Sequence, residues 1–177
     1  MYFKSKFKNR GAIMRLKMFF LSFITLLITP ELLIAQKSMR DMDKGPEHHI
    51  ILNANDQKNW QQSPVLEPDI KVAVLEGNPS ESGVFTLRIK IPDGGYISPH
   101  WHPNVERVTV LSGRFLLGSG EKMDRTKVKK LDPGSYTSMP PGMRHFAIAE
   151  GETIIQLTSV GPWEINYINP EDDPRNR

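Results

Sequence analysis

Short apolar segments separated by glycine and proline turns are the feature that most constrains how this chain can fold. Residues 84–91 alternate strictly between apolar and polar side chains, which is the pattern of a half-buried strand. No long stretch has a helical period. Further strands are expected at 70–75, 96–102, 105–112, 114–118, 126–131, 135–139, 144–149 and 153–160. Strands this short, at this spacing, predict an all-β sandwich or closed barrel.

The chain divides into four segments by composition. Residues 1–36 look like a leader, and residues 37–69 are polar and turn-rich, as expected for a linker and an irregular N-terminal arm. The strand pattern extends over residues 70–168, the predicted barrel. Residues 169–177 are polar and are expected to form a flexible tail.

The leader combines a basic stretch with a charge-free apolar run at 18–29 and a small residue, Ala35, near its end. This order is typical of a secretory signal peptide, and the run is shorter than the roughly 20 residues of a membrane-spanning helix. An uncleaved membrane anchor is the alternative, and Met14 or Met18 could be the true start. We expect a periplasmic or secreted protein whose mature chain begins near Lys37 and does not stay inserted in the membrane.

Charge and cysteine content exclude several classes of function. Residues 1–36 hold six of the 23 Lys and Arg but one of the 20 Asp and Glu. The predicted mature chain is therefore slightly acidic, and no nucleic-acid partner is expected. The sequence has no cysteine, which excludes disulfides, thiolate metal sites and a cysteine nucleophile.

Three of the five histidines fall within the strand region together with one glutamate. His100 and His102 are two residues apart on a predicted strand, so their rings project from the same face. Glu106 opens the next strand, and His145 begins a later strand. Their convergence inside a barrel predicts a site for one divalent metal ion, and these ligands do not distinguish Fe, Mn, Zn, Ni or Cu. No catalytic group beyond the ligands is convincing.

The spacing of these residues resembles that of the cupin superfamily. Its first motif is matched at every defined position by Gly94, His100, His102, Glu106 and Gly113, with five, one, three and six residues between them. The resemblance implies that the histidines and the glutamate bind the metal, whereas the two glycines shape turns.

The second cupin motif is matched by Gly134, Pro140, Gly142 and His145, with five, one and two residues between them. Cupins normally end this motif with Asn at the position that Ala149 occupies here. Gly134, Pro140 and Gly142 are expected to shape the turn that directs His145 inward. The missing Asn implies a drier and roomier pocket on that side.

The resemblance implies a single-domain, jelly-roll-like cupin barrel, similar to the small exported bacterial cupins of type 2 whose activity is mostly unassigned. Ala147 and Ala149 lie on the same strand face as His145 and are candidate pocket residues. Gln156 is a third candidate, although a solvent-facing position fits its strand equally well.

Three functions are compatible with such a site. A metalloenzyme could catalyse a dioxygenase-like oxidation or an isomerisation of a small molecule, and we favour this by family analogy. The alternatives are a metal-dependent binding or sensing module without turnover and a structural metalloprotein. Apolar residues on both strand faces, and Trp101 facing away from the metal, also predict a homodimer.

Overall fold

The computed structural model describes residues 49–53 and 59–177. The predicted signal peptide, its cleavage site and most of the predicted linker lie outside the described residues. Within the described part, the chain forms nine strands and no α-helix. The strands are β1 (Gln61–Gln62), β2 (Lys71–Glu76), β3 (Gly83–Ile91), β4 (Tyr96–Trp101), β5 (Glu106–Ser119), β6 (Val128–Leu131), β7 (Tyr136–Met139), β8 (His145–Gly161) and β9 (Asn166–Tyr167).

All nine strands belong to one curled antiparallel sheet, which confirms the predicted all-β, jelly-roll β-barrel fold. The two longest strands, β5 and β8, pair along their length, with Val108 opposite Leu157 and Leu117 opposite Ala147. The outer edge of β5 pairs with β6 and β7 in turn. The outer edge of β8 pairs with β3 and β4.

The described residues contain no apolar helix of membrane-spanning length.

The structure joins segments that the sequence pattern predicts as separate strands. The segments 105–112 and 114–118 form the single strand β5, and 144–149 and 153–160 form β8. Gly113 has a φ of +71°, and the β5–β8 register shifts on both sides of Ser112. Such a bulge bends a strand while pairing continues beyond it. Gly113 in β5 and Gly151 in β8 therefore lie at bends within a strand rather than at strand ends.

The interior of the barrel is apolar, and β3 shows how the sequence produces it. Phe85, Leu87, Ile89 and Ile91 are buried, as their alternation predicts, while the residues between them are half-buried. Each large apolar side chain that is fully buried contributes about 1.5–3 kcal/mol to stability. The side chains of β3 pack in one continuous core with side chains from β5 and β8.

The N-terminal arm is more ordered than its composition indicates. β1 pairs with β2, and residues 63–70, here called the β1–β2 loop, connect the two strands. This loop buries Leu66 and Ile70 in the barrel core. The C-terminal tail, expected to be flexible, forms two short 3-10 helices, Pro170–Asp172 and Pro174–Asn176. Side-chain bonds at Asn169 and Asp173 cap them, which explains why so polar a segment is regular here.

Candidate metal centre

Three strands deliver the four predicted ligands to one point inside the barrel. His100 lies on β4 and His102 directly follows that strand, while Glu106 and His145 are the first residues of β5 and β8. His100 is the register partner of His145, so the two rings meet across the β4–β8 pair, with centroids 4.2 Å apart. All four side chains are buried, at 3–6% exposure.

Main-chain carbonyl groups orient all three histidines. The Nδ1 atom lies 2.6 Å from the Ser98 oxygen in His100, 2.6 Å from the Glu164 oxygen in His102 and 2.9 Å from the Met143 oxygen in His145. A carbonyl oxygen only accepts, so each Nδ1 carries the proton and donates it. In the neutral ring, Nε2 then keeps a free lone pair, which is the form that binds a metal ion.

Glu106 completes the cluster with a carboxylate oxygen. Its Oε2 atom lies 3.3 Å from Nε2 of His102 and 3.2 Å from Nε2 of His145. Neither Glu106 Oε2 nor His102 Nε2 makes a well-aligned hydrogen bond within the described part of the chain. Buried lone pairs that face one another without a proton or cation between them are costly. A positively charged ion among these atoms would satisfy them.

The electrostatic environment separates the pKa values of the cluster. Burial, and then the neighbouring His145 and His102 rings, hold the pKa of His100 well below its ordinary value. Burial acts against charge on His102 as well, but the Glu106 carboxylate outweighs it and raises the pKa of His102. Burial would raise the pKa of Glu106, yet His102 and His145 lower it strongly. Glu106 is therefore a carboxylate at neutral pH.

These residues fit a metal ion. The ring nitrogens of His100, His102 and His145 that could serve as ligands lie within 4.8 Å of one another, and all three residues are buried. Three imidazoles around one point form a donor set that suits Zn, Cu, Fe or Ni. The predicted histidine cluster could thus hold one divalent ion, whose identity the geometry leaves open.

A small apolar cavity adjoins the cluster. Its free volume is about 20 Å³, which is enough for a single water molecule. None of the residues described around it is Lys or Arg. The lining consists of the four predicted ligands together with Leu66, Ile89, Ile97, Phe115, Met139, Ala147, Ile155, Trp163 and Ile165.

The three candidate pocket residues occupy different places. Ala147 lines the cavity. Ala149 is buried in the core further along β8, where its N–H and C=O bond to Gly95 and Gly94. Gln156 lies on the outward face of β8, where its side-chain oxygen accepts a hydrogen bond from Arg88. Of the two positions considered for Gln156, the structure thus has the one away from the metal pocket.

The motif glycines and proline shape turns around the site. Gly94, Gly134 and Gly142 have φ values of +73°, +88° and +73°, which glycine adopts without strain. Gly142 N–H donates to the carbonyl of His102 at 2.8 Å, and a turn bond joins Met143 N–H to the Pro140 oxygen. The turn before β8 is therefore fixed directly to the segment that carries His102.

Several residues around the cluster carry no local signal in the sequence. Trp163 stacks on the His102 ring, with centroids 5.1 Å apart and planes inclined by 18°. Its indole Nε1 is buried and has no hydrogen-bond partner among the described residues. Leu66 and Ile165 close the cavity from the β1–β2 loop and the C-terminal segment. Only the tertiary fold brings these positions together.

A family comparison agrees with this geometry. The model of the ChrR cupin-like domain family matches residues 48–164, about two thirds of the chain. The chain belongs to this cupin family. The match spans β1 to β8 and all four predicted ligands, so the cupin resemblance of the sequence is confirmed at the level of the family.

Individual relatives of this cupin are distant. A germin-like protein, subfamily T member 3 of Arabidopsis thaliana, is 33% identical over 79 residues, which cover 44% of this chain and 35% of the relative. This chain therefore spans about a third of that protein's length.

Solved structures share the fold at low identity. The polyketide cyclase RemF from Streptomyces resistomycificus superposes with a TM-score of 0.57 at 15% identity, covering 73% of this chain and 92% of the cyclase. An RmlC-like cupin from Shewanella frigidimarina gives a TM-score of 0.51 at 18% identity, covering 66% and 94%.

Proposed function

We propose that this cupin holds one divalent metal ion through His100, His102, His145 and Glu106, and that it uses this centre to convert a small molecule. The observation that carries the proposal is the convergence of three imidazole Nε2 atoms and one carboxylate oxygen in a buried apolar site. The carboxylate is the fourth ligand in this proposal, because its Oε2 faces the two nearest rings at 3.2–3.3 Å.

A bound metal ion would supply Lewis acidity at neutral pH, or oxygen chemistry if the ion is iron. The chain itself supplies orientation and exclusion of water. The carbonyls of residues 98, 143 and 164 hold the rings in one tautomer. The apolar lining keeps the dielectric constant low, which strengthens interactions with any charge that develops near the ion. The described lining offers no titratable group besides the four predicted ligands.

An oxidation or isomerisation at the metal is the activity that we favour. An oxidation places most of the chemistry on the ion, which suits a cavity without a separate acid–base pair, whereas an isomerisation that moves a proton would need water near the ion to carry it. A polyketide cyclase is built on the same fold, so a barrel of this kind can carry an enzyme, although a shared fold does not transfer the reaction.

The test begins with metal analysis of the purified protein, followed by a turnover assay with oxidisable and isomerisable small molecules. We expect one divalent ion per chain in the wild type and none in His100→Ala, His102→Ala and His145→Ala. Loss of a direct ligand should weaken binding by more than the 10–100-fold typical of outer-shell changes. Unchanged metal content in all three variants would overturn the proposed site.

A binding, sensing or structural role for the metal is the second candidate, and the cavity volume of about 20 Å³ favours it. A site that never opens would only brace the barrel. Metal binding without turnover across the substrate panel, together with a large loss of thermal stability on chelation, would support this candidate against the enzyme.

We propose export to the periplasm or the outside of the cell, on the basis of the basic and apolar leader at residues 1–36. The mature protein should begin near Lys37. N-terminal sequencing of protein from the native host tests this, and an intact leader on membrane-bound protein would contradict it.

We also propose a homodimer. Large apolar side chains are exposed on the outside of the barrel, among them Val74, Val84, Tyr96, Leu111 and Tyr136, and a second copy would cover such a surface. Light scattering at micromolar concentration should give twice the mass of the mature chain, and Trp101→Ser should weaken the dimer. The mass of a single chain would refute the dimer.

A further inference from the structure

The inner cavity is too small for an organic ligand in the conformation described. Its free volume of about 20 Å³ compares with about 300–1,000 Å³ for pockets that bind drug-sized ligands. A molecule that reaches the metal must therefore displace part of the wall. Most of that wall belongs to strands of the paired sheet, whose backbone bonds resist displacement.

Leu66 is the lining residue that comes from the β1–β2 loop. Its side chain is 2% exposed and belongs to the barrel core, although its loop has few backbone bonds of its own. The loop is bonded internally by two turn contacts, from Leu66 N–H to Ser63 O and from Ile70 N–H to Glu67 O. Loops of this kind open at lower free energy than paired strands.

Two side chains from the C-terminal segment hold the loop against the barrel. The Tyr167 hydroxyl donates to the carbonyl of Val65 at 2.9 Å. Arg177 Nη2 donates to Glu67 Oε1 at 2.6 Å, and both side chains are partly exposed. Release of the loop would break one hydrogen bond and one exposed ion pair, and the burial of Leu66 and Ile70 also holds it closed.

We infer that Leu66 is the gate and the size-determining residue of the metal site, and that the site admits small, mainly apolar molecules with one metal-binding atom and no other charged group. The inference rests on the proposed function, because it concerns what reaches the proposed ion. The ligand class follows from the lining, in which the described side chains other than the four ligands are apolar or aromatic and none is cationic. A charged group on such a molecule, away from its metal-binding atom, would lose its hydration without gaining a partner.

The first experiment uses the metal-free protein and measures carbethoxylation of His100, His102 and His145 by diethyl pyrocarbonate, followed by mass spectrometry. The labelling rate reports the equilibrium population of the open gate, provided that closing is fast relative to the reaction. The histidines of Leu66→Ala should be labelled at least about 10-fold faster than those of the wild type, because the variant lacks the buried methyl groups that stabilise the closed gate. Leu87→Ala is the matched control, since Leu87 is 3% exposed and lies outside the cavity lining.

Tyr167→Phe is a milder variant that leaves every cavity-lining side chain in place. Loss of its hydrogen bond to Val65 should speed labelling about 2–10-fold, the factor that corresponds to one net hydrogen bond. Equal labelling rates in the wild type and in the Leu66 and Tyr167 variants would overturn the gate. Labelling of the wild-type histidines at the rate of freely exposed histidine would also overturn the gate.

The second experiment loads the protein with Co²⁺ and titrates it with imidazole and 4-phenylimidazole, followed by visible absorption. Leu66→Ala should shift preference toward the larger probe by about 10–200-fold, whereas Leu87→Ala should not. An unchanged preference would refute Leu66 as the size-determining residue. If the wild type does not bind Co²⁺ or any other divalent ion, the proposed function fails, and the labelling rates still decide whether Leu66 is a gate.

Discussion

Replacement of Glu106 by Gln tests whether the carboxylate is a metal ligand. The two side chains have nearly the same shape, so the change removes a negative charge without creating a cavity. Glu106 Oε2 lies 3.2 Å and 3.3 Å from two histidine nitrogens in a buried site. In the proposed centre the variant would leave three imidazoles and a neutral amide, a weaker ligand for a divalent ion.

The expected loss of affinity follows from that geometry. An outer-shell change costs about 10–100-fold in metal affinity, so loss of a direct charged ligand should cost at least about 100-fold. This factor corresponds to about 2.8 kcal/mol, at about 1.4 kcal/mol for each factor of ten. The measurement is competition with a chelator of known affinity at neutral pH, with circular dichroism to confirm that the variant is folded.

Glu164→Gln is the matched control for this substitution. The main-chain carbonyl of Glu164 holds His102 Nδ1 at 2.6 Å, whereas its side chain is exposed. The same chemical change there should alter affinity by less than about twofold, because an exposed charge is screened by solvent. Wild-type affinity in Glu106→Gln, combined with an empty site in His102→Ala, would show that the metal is held by the histidines alone.

Three further predictions concern stability. Gly113→Ala should lower the free energy of unfolding, measured by urea denaturation, by at least about 3 kcal/mol, because the new Cβ would lie 2.4 Å from the Glu152 oxygen. Gly134→Ala has open space around it and should lower it by about 1–2 kcal/mol, because of its left-handed backbone; equal losses in the two variants would contradict this explanation. In metal-free protein, stability should rise with pH toward about 6.5, because the unfolded chain holds a proton that His100 lacks when folded. Above about pH 6.5 stability should fall, because the folded chain loses the proton that His102 holds. Urea midpoints between about pH 4 and 9 that change in one direction only would refute this. Addition of divalent metal at about 100 times its dissociation constant should add about 2.7 kcal/mol, and a calorimetric melting temperature that metal does not raise would argue against the site.

Much of the fold is predictable from local sequence pattern. The alternation at 84–91 predicts a strand with the correct buried face, and β3 confirms it. Glycine near 113 and 151 predicts strand ends, but both positions lie within longer strands. A turn signal records that the backbone needs a special conformation, and it cannot distinguish a bend within a paired strand from a loop.

The site divides in the same way. The spacing of His100 and His102 predicts that their rings share a face, and the cupin motifs add Glu106 and His145; the structure brings all four side chains together. The packing of Leu66 and Trp163 against the cavity depends on segments far apart in the chain, and no local pattern reports it. Alternation also left the direction of Gln156 open, since an apolar strand tolerates a polar residue on its outward side.

The carbonyl groups that orient the histidines have a consequence for how this sequence can change over generations. Residues 98, 143 and 164 hold the three rings through main-chain oxygen atoms, which every amino acid possesses. Substitutions at these three positions can therefore accumulate without altering the ring tautomers, provided that the backbone keeps its path. Selection at these positions therefore acts on the backbone geometry rather than on the side chains, so related proteins can keep the same ring orientation after the residues that provide it have diverged.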